Sequence, residues 1–272
     1  AFRINDPKPR KIHKGPVRDR LLHHAIHRIF YPFFDSVFVA DSFSCRLNKG
    51  THKAINRFWS FAHKVSQNNT RTCWILKCDI RKFFENIDHA ILMKILSNYI
   101  PDPNILWLLS KVIVSFNSKP GVGLPLGNLT SQIFVNIYMN EFDQFVKHQL
   151  RIKYYLRYAD DFVILSENKN YLAGLIKLIE DFLLGRLGLS LHPDKVFIKT
   201  LNSGVDFLGW VNFPDHRVLR TSTKRRMFSK LSKDDRPEVV QSYLGLLGHG
   251  NARKLEDKIS ADPRLVRAFC GG

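Results

Sequence analysis

Acidic residues are scarce in this 272-residue chain: 24 Asp and Glu stand against 42 Lys and Arg, a formal charge of +18. Such an imbalance points to a polyanionic partner, a nucleic acid or an acidic membrane surface. An incidentally basic protein of the ribosomal type shares it. Cysteine is scarce too. Cys45, Cys73, Cys78 and Cys270 match neither a zinc knuckle nor a disulfide framework, so reduced thiols filling a core in the cytoplasm are expected. Every apolar run is broken by charge well short of ~18 residues, which excludes a transmembrane helix and a membrane partner of that kind. No secretory leader pattern opens the chain. The first residue is Ala1 and Phe2-Arg3-Ile4 already reads as strand, so the natural N-terminus is expected further upstream. Internal repeats and low-complexity tracts are lacking. What is present is 44% hydrophobic residues, enough for one core with a smaller attached lobe. Aromatics make up 12%, and such rings stack on unpaired bases.

Leu21, Leu22, Ala25, Ile26, Ile29, Phe30, Phe33, Phe34 and Val37 recur at three and four, predicting a helix with one buried stripe, bent at Pro32. Residues 74–80 read as a strand. Asp88 then caps a helix carrying Ile91, Leu92, Ile95, Leu96 and Tyr99. A Gly/Pro loop over 121–128 leads into a helical pattern at Ile133, Phe134, Ile137, Tyr138 and Phe145. Residues 153–165 suit a hairpin turning at Ala159-Asp160. A further helix through Leu172, Leu175, Ile179 and Leu183 stops near Gly185 or Gly188, and strands follow over 195–200 and 205–213. This order approximates the βαββαβ ferredoxin-like plan of an α+β fold. From Thr221 the composition turns basic and helical, as in a separate small lobe.

Asp79 falls at the end of one predicted strand and Asp160-Asp161 at the tip of the hairpin. An Asp-Asp pair usually caps a turn on a solvated surface. Here Leu156 and Tyr158 precede it and Phe162, Val163, Ile164 and Leu165 follow, and like charges between buried strands are costly unless a cation compensates. An oxygen-only set suits Mg²⁺. Two such ions ~3.5–4 Å apart activate a 3′-hydroxyl and stabilise departing pyrophosphate.

Arg157-Tyr158-Ala159-Asp160-Asp161-Phe162 and Lys77-Cys78-Asp79-Ile80-Arg81-Lys82-Phe83-Phe84 occur in the order of two blocks of the reverse transcriptases, and the chain resembles that family over nearly its whole length. The resemblance implies a right-hand polymerase: fingers over 1–73, a ferredoxin-like palm over 74–120 and 151–220, a fingers/palm loop and helix over 121–150, and a helical thumb over 221–272. It implies two Mg²⁺ ions, with Mn²⁺ as a substitute, held by Asp79, Asp160 and the Ile80 carbonyl, with Asp161 completing the acidic cluster. Lys82, Phe83 and Phe84 fall in the nucleotide-binding block. Phe84 matches the bulky ring that excludes a 2′-hydroxyl; a core Phe beside Phe83 is the other reading. Arg10 matches the residue gripping the triphosphate, where a planar guanidinium suits two phosphate oxygens; Arg3 and Lys8 are further candidates. Lys195, in Leu191-His192-Pro193-Asp194-Lys195, either protonates pyrophosphate or forms a plain salt bridge. Phe207-Leu208-Gly209-Trp210 resembles the primer grip, and Ser242-Tyr243-Leu244-Gly245 a thumb segment. Implied partners are template RNA, a DNA or RNA primer and dNTPs.

One block, which in the family forms the loop covering the template base pair and implies nucleotide contacts from Leu126, Gly127 and Gln132, departs from the common pattern. In Gly123-Leu124-Pro125-Leu126-Gly127-Asn128-Leu129-Thr130-Ser131-Gln132, Leu126 stands where most of the family has Gln, and Gln132 where it has Pro. The double change resembles the reverse transcriptases of diversity-generating retroelements, as do Asp41-Ser42-Phe43-Ser44-Cys45-Arg46 and Lys49-Gly50-Thr51-His52. That subfamily implies errors opposite template adenine, a small basic accessory variability protein, and the cytoplasm of a bacterial or phage-infected cell. A retron, group II-like or phage-defence enzyme of ordinary fidelity is the alternative.

Overall fold

The structure, a computed structural model, describes residues 2–4, 10–13 and 15–262. Lys8 and Cys270 lie outside them, and of Arg3 and Arg10 only the backbone is described. The chain divides into two compact units, one of residues 1–58 and 74–198, the other of 59–73 and 199–272.

The first unit opens with a short antiparallel pair, β1 (Phe2–Ile4) and β2 (Arg10–Ile12), then α1 (Val17–Val37) and the start of α2 (Thr51–Val65). Strand β3 (Trp74–Asp79) leads through a 3-10 turn, Phe83–Asn86, into α3 (His89–Ser97), α4 (Pro103–Val114) and α5 (Leu129–Gln144). The hairpin β4 (Tyr155–Tyr158) and β5 (Asp161–Ser166) precedes α6 (Lys169–Leu187) and β6 (Phe197–Thr200). The strands line up β4-β5-β3-β6, so the first and third strands of the βαββαβ plan sit at the centre. Asp88 caps α3 as predicted, accepting the Ile91 amide at 2.9 Å, and α6 ends on Gly188 at φ +60°.

Strand alternation decides what each face of the sheet carries. Leu76, Cys78, Tyr155, Phe162 and Ile164 join the core with Phe134, Tyr138 and Phe142 of α5 and Leu172, Ile179 and Leu183 of α6. At roughly 25 cal/mol per Å², these aromatic and aliphatic groups supply the main force holding helices to sheet.

The second unit holds a three-stranded antiparallel sheet, β7 (Val205–Phe207), β8 (Trp210–Asn212) and β9 (Arg217–Leu219), and the helices α7 (Thr221–Leu231), α8 (Pro237–Leu247) and α9 (Arg253–Ser260).

Two expectations need correcting. The strand predicted over 205–213 is a hairpin, folded at Leu208 (φ +51°) and Gly209 (φ +88°), the signs that a two-residue primed turn requires. The apolar stripe predicted for α1 is only partly covered: Ile26 and Phe34 are buried, whereas Leu21, Ile29 and Phe33 are 67%, 72% and 50% exposed. Helix α4 was not anticipated. Among the described residues no helix is long and apolar enough to cross a membrane.

Candidate active site

Antiparallel register sets Asp79 of β3 directly opposite Asp161 of β5, and Asp161 opposite Tyr158 of β4. Directly paired residues point to the same side of a sheet. Asp79, Asp161 and Tyr158 therefore share the face opposite the helical core. Asp160 sits in the two-residue turn between β4 and β5, beside Ala159 at φ +55°. The Ile80 amide donates to the Asp160 carbonyl at 3.1 Å, tying the turn to the end of β3. The sequence thus places its three acids where hairpin and central strand meet.

Two ammonium groups attend them. Lys195 Nζ lies 2.8 Å from Asp79 Oδ1, and Lys77 Nζ 3.4 Å from Asp161 Oδ2. Lys195 is brought there by the segment after α6: the Arg81 amide donates to the Ser190 carbonyl and the His192 amide to the Asp79 carbonyl. Lys77, two residues before Asp79, shares that residue's face by strand alternation.

Burial raises the Asp161 carboxyl to about 6, with Asp79 and Asp160 adding to the rise and Lys77 opposing it. Its Oδ1 is buried without a hydrogen-bond partner. A desolvated carboxylate oxygen with no donor, amid further acids, fits a cation-binding role. Among the described residues no group of three or more His, Cys, Asp or Glu side chains is drawn together into a ready cage. Of the ligands expected for Mg²⁺, Asp79 and Asp161 face each other across the strands and Asp160 lies in the adjoining turn, all of them oxygen donors.

The neighbouring block resolves the two rings. Lys82 turns the chain at φ +46°, and its ammonium pairs with Glu85 at 3.4 Å on the surface. Phe83 is 3% exposed and belongs to the core. Phe84 is half-buried, its centroid 5.5 Å from that of Phe83. The Phe84 carbonyl accepts the Leu124 amide at 2.8 Å, so the loop carrying Leu126 is fastened to the turn carrying the ring. His13 donates its amide to the Leu126 carbonyl, and a Cβ on Gly127 (φ +107°) would come within 2.6 Å of Ile12 Cγ2. Leu126 and Gln132 are half-buried. In the second unit Phe207 and Trp210 are buried, so what this hairpin can offer a ligand comes from Leu208-Gly209 at its tip.

Sequence reasoning passed over the support beneath the turn. Arg157 and Asp143 form a buried ion pair with Nη2–Oδ2 at 2.6 Å, and the Tyr155 hydroxyl donates to Asp143 Oδ1 at 2.5 Å. The signal available was an arginine inside an otherwise apolar strand.

Residues 5–211 match the family described as "Reverse transcriptase (RNA-dependent DNA polymerase)". Protein YkfC of Escherichia coli (strain K12) is 26% identical over 85% of this chain and 69% of its own length. The group II intron-encoded protein LtrA of Lactococcus lactis is 22% identical over 82% of this chain, which spans 47% of that protein. Among solved structures, apo telomerase from Candida tropicalis superposes with a TM-score of 0.55 at 12% identity, over 72% of this chain and 39% of that one. That likeness is one of fold: the right-hand polymerase.

Proposed function

The chain belongs to the reverse transcriptase family, and from that premise we propose that it extends a DNA or RNA primer with dNTPs on a template RNA, using Asp79, Asp160 and Asp161. The observation that carries the reading is the cross-strand pair Asp79 and Asp161, with Asp160 in the adjoining turn. Asp79, Asp160 and the Ile80 carbonyl would hold the metal ions, and Asp161 keeps the cluster acidic. Two Mg²⁺ ions, when bound, supply activation of the 3′-hydroxyl and charge neutralisation at the phosphates. Lys195 and Lys77 offset the carboxylate charge at the same edge. Lys195 would deliver a proton toward pyrophosphate once its carboxylate partner is engaged elsewhere. Phe84 would stand under the sugar and exclude a 2′-hydroxyl. Arg10, with Arg3 and Lys8, would grip the triphosphate, and Leu208-Gly209 would meet the primer. In this reading residues 1–73 act as fingers, 74–120 and 151–220 as palm, 121–150 as the covering loop and helix, and 221–272 as thumb.

The finer reading is an error-prone enzyme of the diversity-generating kind, working with a small basic accessory protein. Its support is Leu126 and Gln132: an aliphatic side chain beside the template pair removes a polar contact worth on the order of 1–3 kcal/mol when it aligns a base. An enzyme of ordinary fidelity and group II-like descent is favoured instead by the likeness to LtrA.

Mg²⁺-dependent dNTP incorporation on primed RNA tests the first claim. The protein should extend the primer and Asp160→Asn should not; absence of extension by the unaltered chain removes the claim. Misincorporation opposite template adenine tests the second. Leu126→Gln should lower the error rate, and equal error rates would remove Leu126 as the cause of misincorporation.

A further inference from the structure

The Arg157–Asp143 ion pair is among the most deeply buried charges in the described chain, with side chains 1% and 0% exposed. Register places it on the side of the sheet away from Asp79 and Asp161. Arg157 pairs with Phe162, and Phe162 with Cys78, on the helical-core face. Two of its nitrogens form a fork on Asp143, Nε to Oδ1 at 2.8 Å and Nη2 to Oδ2 at 2.6 Å. Nη2 also donates to Ser42 Oγ at 3.1 Å, while Nη1 donates to the Ala159 carbonyl at 3.0 Å. The backbone of Arg157 is clamped as well, its amide on the Asp41 carbonyl and its carbonyl on the Phe43 amide.

Fold stability alone is a weak reason for such a pair. Taking two ions out of water is costly, and apolar replacements of similar volume are often neutral or stabilising. What an apolar pair cannot do is hold a carbonyl. Ala159 lies at φ +55°, a conformation that is unfavourable for a non-glycine residue and persists where its surroundings over-determine it. The Ala159 carbonyl is gripped from below by Arg157, and the next carbonyl, that of Asp160, is gripped by the Ile80 amide. The backbone of Asp160 is fixed on both sides, and with it the direction of the carboxylate. Only the planar guanidinium, with five donors in a rigid fork, binds Asp143 at two points and still presents a third nitrogen in a set direction.

We propose that Arg157, locked by Asp143, is a positioning residue that holds the Ala159-Asp160 turn so that the Asp160 carboxylate is pre-aimed for nucleotidyl transfer. The inference rests on the proposed role of Asp160. A carboxylate displaced by about 1 Å can cost on the order of 100-fold in rate without changing how substrate binds.

The test compares Arg157→Lys, the double variant Arg157→Met with Asp143→Leu, and Asp160→Asn, all in the full chain. Lysine keeps a cation against Asp143 but lacks the fork; the apolar pair keeps volume without donors. Primer extension on RNA would be followed for kcat and for KM of dNTP, beside primer–template affinity and Tm. The expected result for both Arg157 variants is a roughly 10–100-fold lower kcat, with KM and nucleic-acid affinity within about threefold of the unaltered chain and Tm lying above the assay temperature. A folded Arg157 variant with kcat within twofold of the unaltered chain overturns the proposal, as does a loss expressed mainly in KM. Failure of both variants to fold also overturns it, because the pair would then be a folding determinant. Full activity in Asp160→Asn would instead remove the role given to Asp160.

Discussion

The Asp161→Asn substitution should stabilise the metal-free protein at neutral pH and leave it unchanged in acid. Burial, reinforced by Asp79 and Asp160 and opposed by Lys77, raises the Asp161 carboxyl from 3.8 to about 6. A group whose folded pKa lies above its unfolded value contributes stability that is fully present below about pH 4 and is lost as pH rises through about 6. Two pKa units at about 1.4 kcal/mol each give roughly 3 kcal/mol of strain in the ionised, metal-free state. The side chain is 20% exposed, so solvent screens little of it. Asparagine has the same shape and no charge to bury. At about 2–4 °C per kcal/mol for a chain of this size, thermal unfolding in EDTA should show the variant melting roughly 6–12 °C higher at pH 7.5. The difference should shrink toward zero near pH 4, and titrations common to both proteins cancel in it. Added Mg²⁺ should raise the Tm of the unaltered protein more than that of the variant, since a bound cation favours the charged carboxylate. A Tm difference that stays flat from pH 4 to 8, or favours the aspartate at pH 7.5, would refute the account of this group as a desolvated acid awaiting a cation.

Three further outcomes follow from local geometry. Phe84→Ala should reduce discrimination between dNTP and rNTP by about 10–200-fold, the range for one steric contact, read from kcat/KM for the two nucleotides; unchanged discrimination would make Phe84 a packing residue only. Gly127→Ala should raise KM for dNTP and cost about 1–3 kcal/mol, because the new methyl meets Ile12 Cγ2 at 2.6 Å and φ is +107°. Chemical denaturation with steady-state kinetics reads both effects. Gly250→Ala should destabilise the second unit by roughly 1–3 kcal/mol, since a Cβ there would run into the indole of Trp210, visible as a lower denaturant midpoint.

Continuous apolar runs on either side of the acids were enough to find the β4–β5 hairpin, and the ferredoxin-like order to set Asp79 beside Asp160-Asp161, because strands buried on both faces leave acids few places other than their ends. Helical periodicity was less informative for α1. It reports which residues share a face and not whether anything covers that face, so Leu21, Ile29 and Phe33 were grouped with Ile26 and Phe34 although the former are exposed. Phe83 and Phe84 are adjacent and chemically identical. What separates them is the turn begun by Lys82 at φ +46°, which sends one ring into the core and leaves the other half-open. Arg157 reads in the sequence as one more cation in a basic chain. Its partner lies 14 residues upstream on α5, and only the sheet register shows that its side chain points away from the acids.

That register also explains why charges of opposite character sit back to back across one thin hairpin. On the face of Asp79 and Asp161 the counter-cations are lysines on flexible stems, with Lys195 38% and Lys77 14% exposed, so their ammonium groups can yield to another cation. On the face of Arg157 the cation is a planar group sealed from water, whose release would leave Asp143 buried and unpaired at a cost of several kcal/mol. Ligands of an acidic site need charge compensation that can be exchanged, whereas the turn bearing them needs compensation that cannot. A strand two residues in period supplies both, since Arg157 and Tyr158 point to opposite faces of β4 and the turn at Ala159-Asp160 begins where they end.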